Sequence, residues 1–456
     1  MRLQSRARAL LIGGLMLAGG LARSANEAES PPMGWNSWDA YGFTLDEQAF
    51  KANAIQLAQL RSYGWTYAVI DEGWYMDNPR GAKLAERSYQ LNTAGLLIPS
   101  LPRYPSALHG AGFKPLADWV HSRGLKFGLH IVRGIPKQAV ERNTAIAGTA
   151  FHAAEAADTT ETCPWDDGNF GVRNNAAGQA FYDSMIRLYA QWGVDFLKVD
   201  CISAHPFRAS EIRQIHQAIQ KAGRPIVLSL SPGPTPLEQA QFVKRTAQMW
   251  RISNDVWDGW RLDGDTHPSG FPSGVASAFD NLAKWNPFVR PGAWPDADML
   301  PFGALKPNPG WGDPRNSRLT PDETRSQFTL WAIARAPLIL GANLTELDKS
   351  TLSLITNRAV IGINQTAWAS HPIALPAGFE NFRAWEAFAG HRAQPTRYIA
   401  IFNLDDRPAH FSAQWAQLGL RERQAVRDLW RDEVRPISPE LSVDLPAHGS
   451  AVFRVE

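Results

Sequence analysis

Short apolar runs that alternate with amphipathic segments extend over most of this sequence. Eight of them have the length and composition of β-strands, at residues 33–38, 67–71, 126–131, 194–200, 226–231, 249–253, 293–300 and 337–342. Apolar strands separated by helical patterns are typical of parallel sheets, whose connections must cross back over the sheet. Eight such units predict a (β/α)8 TIM barrel, a fold of the α/β class, that ends near residue 368.

Two segments carry the signature of a capped helix start. Thr44 and Glu47 have the spacing of a capping box, and Thr320 and Glu323 repeat that spacing with Pro321 at the first helical position. Each pair predicts a helix that begins just after its threonine.

Helical periodicity stops beyond residue 371. The segments RYIAIFNL, LSVDL and SAVFRVE alternate apolar with polar residues and are separated by turn residues, as antiparallel strands do. We therefore expect a barrel domain at residues 31–370 and a C-terminal antiparallel β-sandwich domain at residues 371–456.

The first residues have the pattern of a secretory signal peptide. Three arginines precede a run of fourteen apolar residues at 9–22, and small residues follow it. That run suits the hydrophobic segment of a signal peptide and is too short to span a bilayer, which takes about 20 residues. We expect a signal peptide at residues 1–24 and a periplasmic or secreted protein with no membrane contact after cleavage.

Composition narrows the range of functions. The 46 basic and 44 acidic residues leave a net charge of +2, which offers no electrostatic reason to bind nucleic acid. A hydrophobic fraction of 44% excludes a disordered chain.

Charged residues close four of the predicted strands. TIM-barrel enzymes carry their catalytic groups at the C-terminal ends of strands, and residues two apart share a face of a strand. A rim of carboxylates with Lys, Arg and Trp, without metal-ligand spacing, indicates glycoside hydrolysis by two carboxyl groups. The residues at the four strand ends are Asp71 and Glu72, Lys198 and Asp200, Arg251 with Ser253 and Asp255, and Asp296 and Asp298.

Other interpretations of these residues stay open. Lys198 could form a Schiff base in an aldolase-type barrel, which is a different class of reaction. Asp71, Glu72 and Asp200 could instead hold Mg²⁺, as in enolase-type barrels. The chain could also be a sugar-binding protein without activity, and His130 could be a packed core residue.

Seven segments, in order along the chain, add a more specific signal. They are PPMGWNSWDAYG (31–42), VIDEGW (69–74), GLKFGLHI (124–131), GVDFLKVDC (193–201), RISND (251–255), WPDADML (294–300) and LWAIARAPLILGANL (330–344). Together they resemble the signatures of glycoside hydrolase family 27, the family of α-galactosidases, α-N-acetylgalactosaminidases and β-L-arabinopyranosidases. Residues 112–128, 163–165 and 228–238 further resemble a bacterial subgroup of that family.

The resemblance implies a secreted retaining exo-glycosidase that hydrolyses terminal α-D-galactosyl residues. It implies a galacto-configured oligo- or polysaccharide as substrate, no cofactor and no metal, and a monomer or homodimer. β-L-arabinopyranosidase and α-N-acetylgalactosaminidase are the alternatives within the family. By position in the motifs, Asp200 matches the catalytic nucleophile and Asp255 the acid/base. The matches to substrate-binding positions are Trp38, Asp71, Glu72, His130, Lys198, Ser231, Arg251 and Asp298.

Three positions depart from the family pattern. Glu72 stands where Asp is common and extends one methylene further toward the C6 hydroxymethyl of a bound galactose. His130 stands where Tyr is frequent, and Ser231 is small at the position that faces C2 of the sugar. These departures bear on which sugar is accepted. Glu72 predicts activity on β-L-arabinopyranosides that approaches or exceeds activity on α-D-galactosides, although α-galactosidase stays the expected class.

The chain contains two cysteines, Cys163 and Cys201. Export to an oxidising compartment permits a disulfide, and two cysteines allow only one pairing within the chain. We predict this bond; the alternative is two separate buried thiols.

Overall fold

A computed structural model describes residues 28–79, 87–267, 270–306, 312–420 and 423–456. The predicted signal peptide at residues 1–24 lies outside the described residues. Across the part of the chain that is described, no helix is both long enough and apolar enough to cross a membrane.

A parallel sheet, eight-stranded over the described residues, forms the centre of the amino-terminal part. Every one of the eight predicted runs overlaps one of its strands, so that prediction is confirmed. The strands are β1 Met33–Asn36, β2 Tyr67–Ile70, β3 Lys126–Val132, β4 Phe196–Asp200, β5 Val227–Leu230, β6 Met249–Arg251, β7 Trp294–Asp296 and β8 Leu338–Leu340.

The sheet curls into a closed barrel. Neighbouring strands pair in the order β7-β6-β5-β4-β3-β2-β1-β8. Leu300, beyond β7, pairs in parallel with Leu340 of β8 and joins the two ends of the sheet. Helices cover the outside, so the strand residues Leu197 and Trp250 have no solvent exposure. This burial explains why the sequence shows nearly continuous apolar runs, and the predicted TIM barrel is confirmed.

Helices connect successive barrel strands. Those on the outside of the barrel are Glu47–Gln59, Lys114–His121, Ala176–Trp192, Ala209–Ala222, Ala240–Thr246, Ser277–Trp285, Pro321–Ala334, Lys349–Ile355 and Arg358–Thr366. Shorter helices at Trp38–Tyr41, Lys137–Glu141 and Ala153–Ala156 lie within the connections.

One of the two predicted capping boxes is present. Thr320 accepts a hydrogen bond from the Glu323 backbone N–H, and the Glu323 carboxylate accepts one from the Thr320 N–H at 2.8 Å. The box predicted at Thr44 is wrong, because Asp46 caps that helix and accepts from the Ala49 N–H at 2.8 Å. Asp is among the strongest N-cap residues, and it lies closer to the helix start than Thr44.

The connection after β3 forms a small antiparallel sheet of its own. Its strands are Ile135–Pro136, Ala157–Thr162 and Asn169–Val172. The segment 163–168, which we call the Cys163 loop, lies between the last two of them. A second small ribbon pairs Ala304–Leu305 with Arg315–Asn316.

Antiparallel sheets make up the carboxyl-terminal part, as the sequence predicts. Phe382, Ile401, Phe411 and Phe453 are buried in their shared core. The strands are Ala369–Ile373, Phe382–Ala389, Thr396–Asn403, Ala409–Gln414, Gln424–Asp428, Glu433–Ser438, Glu440–Leu445 and Ser450–Val455.

These sheets pack on the barrel helix Pro321–Ala334. His448 reaches Glu323 of that helix at 2.7 Å, and the Trp430 indole donates to the Thr329 hydroxyl at 3.0 Å. The two parts of the chain are therefore joined by polar as well as apolar contacts.

Candidate active site

A cavity of about 620 Å³ opens at the C-terminal ends of the barrel strands. All ten residues predicted for catalysis or sugar binding line it, although they come from seven different strand ends. They are Trp38 after β1, Asp71 and Glu72 after β2, His130 in β3, Lys198 and Asp200 in β4, Ser231 after β5, Arg251 and Asp255 at and after β6, and Asp298 after β7. The barrel thus places one set of charged groups around one space.

Asp71 and Lys198 form a buried ion pair on one wall. The Lys198 ammonium donates to Asp71 Oδ2 at 2.8 Å, and the Asn36 amide donates to the same oxygen at 2.6 Å. Burial by itself would raise the pKa of Asp71, but the charges of His130 and Lys198 lower it below its ordinary value. Asp71 is therefore an ionised acceptor with Lys198 as a donor beside it, a pair suited to grip adjacent sugar hydroxyls.

Asp200 lies at the end of β4 with donors on both oxygens. The Cys201 N–H donates to Oδ1 at 2.7 Å, the Trp165 indole to Oδ2 at 3.4 Å, and His130 Nε2 lies 3.6 Å from Oδ2. Burial would raise the pKa of Asp200, but the nearby charges of His130 and Lys198 and the hydrogen bond from the Cys201 N–H lower it. The carboxylate is thus held ionised, as a nucleophile requires.

Arg251 bridges two carboxylates on the opposite wall. Its guanidinium lies 2.7 Å from Asp298 Oδ2 and 3.1 Å from Asp255 Oδ1. Asp298 is buried, whereas the Asp255 side chain is 39% exposed at the cavity mouth. Burial raises the pKa of Asp298 to about 7, although the Arg251 charge opposes this rise. Asp255 is therefore the carboxyl of this group that can exchange protons with solvent and with a leaving group.

Asp296 and Ser253 do not line the cavity. Their two-residue spacing from Asp298 and Arg251 predicted that they would share a strand face with those cavity residues. Both are buried, and Asp296 Oδ1 accepts a hydrogen bond from the Asp298 N–H at 2.9 Å. Asp296 therefore shapes the turn after β7. Asp298 itself has a positive φ of 88°, outside the extended conformation on which the parity argument depends.

Glu72 is a buried acid whose negative charge would have little support from its surroundings. It is 7% exposed, and its Oε1 atom has no hydrogen-bond partner among the described residues. Burial raises its pKa well above the ordinary value, and the negative charges of Asp166, Asp200 and Asp71 add to this effect. A carboxyl in such surroundings takes up a proton, because an unpaired charge away from water is costly.

Sequence reasoning missed several residues of the cavity wall. Asp39 is 3% exposed, and burial raises its pKa well above the ordinary value. Trp165 lies in the CPW motif at residues 163–165, which was the available signal for it, and Asp39 lies within the first family-like segment. Pro164, Pro232, Asn254 and Met299 also lie within family-like segments. The remaining residues of the cavity wall, which had no distinguishing pattern, are His205, Val256, Trp257 and Phe271.

The predicted disulfide is confirmed. Cys163 and Cys201 are bonded, with their Cα atoms 6.0 Å apart, and both residues are buried against Val132. The bond fastens the Cys163 loop to the residue that directly follows Asp200. Trp165 is thereby held over the proposed nucleophile.

The geometry gives little support to the two alternative kinds of chemistry, a Schiff base on Lys198 and a Mg²⁺ site. A Schiff-base lysine needs a lowered pKa, but the charges of Asp71 and Asp200 raise the pKa of Lys198 despite its burial. Glu72, His130 and Asp200 could each offer a ligand atom within 4.8 Å of the others. Asp71, which the Mg²⁺ hypothesis requires, is not part of that group, and its carboxylate is paired with Lys198.

Comparison with known proteins agrees with the interpretation of this cavity as a glycosidase site. A family model described as alpha galactosidase A matches residues 165–366, and one described as the alpha galactosidase C-terminal beta sandwich domain matches residues 383–455. Among curated proteins, an α-galactosidase from Coffea arabica is 28% identical over 431 residues, 93% of each chain.

Solved structures match nearly the whole chain. A family 27 β-L-arabinopyranosidase from Geobacillus stearothermophilus is 39% identical, with a TM-score of 0.86 and coverage of 94% of this chain and 97% of that one. A structure from Bacillus halodurans described as a candidate α-N-acetylgalactosaminidase is 37% identical, with a TM-score of 0.79 and coverage of 93% and 97%.

The barrel, its carboxylate-lined cavity and these matches define an enzyme, a glycoside hydrolase. Within that class, the chain belongs to glycoside hydrolase family 27.

Proposed function

We propose that this enzyme is a retaining exo-glycosidase that releases terminal β-L-arabinopyranosyl residues, with terminal α-D-galactosyl residues as second substrates. The observation that carries the proposal is Glu72, a buried carboxyl in the cavity wall whose Oε1 atom has no partner within the described chain. The 39% identity to the Geobacillus stearothermophilus β-L-arabinopyranosidase supports it.

The two sugars differ at one carbon. L-arabinopyranose has the ring of D-galactose with hydrogen in place of the C5 hydroxymethyl group, so β-L-arabinosides and α-D-galactosides present the same atoms to Asp71 and Lys198. The added methylene of Glu72 projects toward the space that the hydroxymethyl group needs. Overlap with one extra group in a packed site typically costs about 1–3 kcal/mol, enough to offset the binding of a 6-hydroxyl.

Catalysis on this proposal is a double displacement with retention. Asp200 attacks the anomeric carbon and forms a covalent glycosyl ester while Asp255 protonates the departing oxygen. Asp255 then removes a proton from water, which hydrolyses the ester and restores both carboxyls. Trp38, half-buried in the cavity wall, offers the apolar face on which the sugar ring rests.

The test compares p-nitrophenyl β-L-arabinopyranoside with p-nitrophenyl α-D-galactoside in the wild-type enzyme and in Glu72→Asp. The wild type should prefer the arabinoside by kcat/KM, and Glu72→Asp should move the ratio toward the galactoside by about tenfold. Glu433→Asp, on an exposed strand of the carboxyl-terminal part, is the matched control and should leave the ratio unchanged. A ratio unaffected by Glu72→Asp would refute the role of Glu72.

A second candidate, α-galactosidase as the main activity, is favoured by the name of the Coffea arabica relative. A wild-type preference for the galactoside would establish it. N-acetylgalactosaminides belong in the same panel, because Ser231 is small and faces the C2 side in the family pattern.

We also propose that the enzyme is exported before it acts. The Cys163–Cys201 disulfide supports this proposal, because such bonds persist mainly in oxidising compartments. Mass spectrometry of the protein from a periplasmic fraction should find a mature N-terminus near Ala25, and an intact N-terminus in the cytosol would refute export.

A further inference from the structure

Two large apolar side chains are exposed where the cavity opens. Trp165, in the Cys163 loop, is 37% exposed, and Phe271, in the long connection after β6, is 42% exposed, yet both line the cavity. Charged groups of the same cavity, such as Asp71 and Asp298, are buried. Exposed apolar side chains beside polar groups mark binding surfaces. The cavity mouth therefore has the composition of a second binding region, distinct from the charged interior.

A series of contacts connects Trp165 to the proposed acid/base. The rings of Trp165 and His205 meet edge to face, with their centroids 6.0 Å apart. His205 Nε2 lies 3.2 Å from Asn254 Oδ1 and 3.2 Å from the Gly233 carbonyl oxygen. Asn254 directly precedes Asp255, and both of these residues line the cavity. The Trp165 ring thus belongs to the same stretch of cavity wall as the carboxyl that protonates the leaving group.

Phe271 is held against the same stretch of wall. Gly270 packs so closely on Asn254 that a Cβ at Gly270 would lie 2.3 Å from the Asn254 amide nitrogen. The Ser273 N–H donates to the Asp255 carbonyl oxygen at 2.9 Å, and the Ser273 hydroxyl donates to the Gly270 carbonyl oxygen at 2.8 Å. Phe271 lies between these two anchored residues. Its ring is therefore presented at the cavity mouth by backbone that is fastened to Asp255.

The proposed double displacement determines which part of the substrate reaches this region. The terminal sugar lies in the interior, with its hydroxyls on Asp71 and its anomeric carbon at Asp200. Asp255 protonates the glycosidic oxygen, so the group that departs with this oxygen must lie on the Asp255 side of the sugar. That side is the cavity mouth, where Trp165 and Phe271 are exposed.

We propose that the cavity mouth is a subsite for a pyranose ring in the leaving group, so that the enzyme acts on sugars linked to a second sugar ring. The proposal rests on the proposed function and adds the chemical class of the aglycone. A pyranose ring presents apolar C–H faces, which pack on aromatic rings, and hydroxyls at its edge, which hydrogen-bond to amides and imidazoles. The four side chains of the subsite offer both kinds of group; they are Trp165, His205, Asn254 and Phe271.

The test compares two substrates that share a glycone and differ in the leaving group, 6-O-β-L-arabinopyranosyl-D-glucose and methyl β-L-arabinopyranoside. The wild-type enzyme should hydrolyse the disaccharide with the higher kcat/KM. Phe271→Ala should lower the disaccharide-to-methyl ratio of kcat/KM by about fivefold, the factor that one aromatic contact typically contributes. Leu237→Ala is the matched control, since Leu237 is an exposed apolar residue outside the cavity lining, and it should leave the ratio unchanged.

Two variants of Trp165 separate ring binding from support of the nucleophile. Trp165→Phe keeps an aromatic ring but loses the indole N–H that donates to Asp200. It should lower kcat/KM for both substrates and change their ratio by less than about twofold. Trp165→Ala removes the ring as well and should lower the ratio by about fivefold. A loop that had merely lost its shape would instead affect both substrates equally.

Two results would overturn the inference. One is an unchanged ratio in Phe271→Ala or in Trp165→Ala, and the other is a wild-type enzyme that hydrolyses the methyl glycoside as well as it does the disaccharide. The proposed function fails separately when melibiose and methyl α-D-galactopyranoside are measured beside the arabinosides. Preference between the two pairs tests the glycone, whereas the ratio within each pair tests the subsite, so a preference for the galactosides would refute the proposed function alone.

Discussion

Removal of the Cys163–Cys201 disulfide should destabilise the barrel next to its proposed nucleophile. The bond closes a sequence separation of 38 residues. The chain-entropy relation for a loop of that length corresponds to roughly 3–4 kcal/mol of stabilisation, because the bond restricts the unfolded chain. Alanine is the appropriate replacement, since both residues lie in an apolar cluster with Val132 where a serine hydroxyl would lack a partner.

Three variants test this magnitude: Cys163→Ala, Cys201→Ala and the double variant. Each opens the same loop, so each should lower the free energy of unfolding in urea by a similar amount, about 3–4 kcal/mol. Losses below about 1 kcal/mol, or single losses that add up in the double variant, would refute the reasoning, because they would show two independent side chains rather than one crosslink.

The same variants should also lose activity at temperatures where they remain folded. Trp165 donates to Asp200 from the loop that the disulfide fastens, and the Cys201 N–H donates to that carboxylate as well. We expect kcat to fall more than KM rises, as measured with p-nitrophenyl β-L-arabinopyranoside. An unchanged kcat would show that other contacts hold the loop.

Three further predictions concern single side chains. Asp200→Asn should abolish turnover, whereas Asp255→Asn should retain slow hydrolysis of p-nitrophenyl glycosides, whose leaving group needs little protonation; full activity in Asp200→Asn would overturn the assignment. Thr320→Ala should lower the free energy of unfolding in urea by about 1 kcal/mol through loss of the helix cap, whereas the control Thr320→Ser, which keeps a capping hydroxyl, should lose much less. Burial raises the pKa of Asp298 to about 7, so the folded protein keeps this proton to a higher pH than the unfolded chain does. The stability that the protonated Asp298 contributes is therefore complete below about pH 4 and is lost as the pH rises through 7. The free energy of unfolding in urea should show this loss in the wild type and lack it in Asp298→Asn.

The barrel could be predicted because its determinants are local. Each strand is buried on both faces and so appears as an apolar run, and parity along a strand placed Lys198 and Asp200 on one face. The same local reasoning failed at Thr44, where a nearer Asp46 supplied the cap. It failed at Asp296 as well, because the chain leaves the extended conformation before Asp298.

The sequence by itself determined the fold class, the order of the strand-end residues and, with only two cysteines, the single possible disulfide. Only the tertiary structure decided which charged groups meet. Arg251 bridges Asp298 and Asp255, and Trp165 reaches Asp200 from the loop after β3. These contacts depend on how the barrel closes and on where a long connection folds back. The protonation state of each group depends on the contacts in turn, because a pKa reflects burial and neighbouring charge as well as residue type.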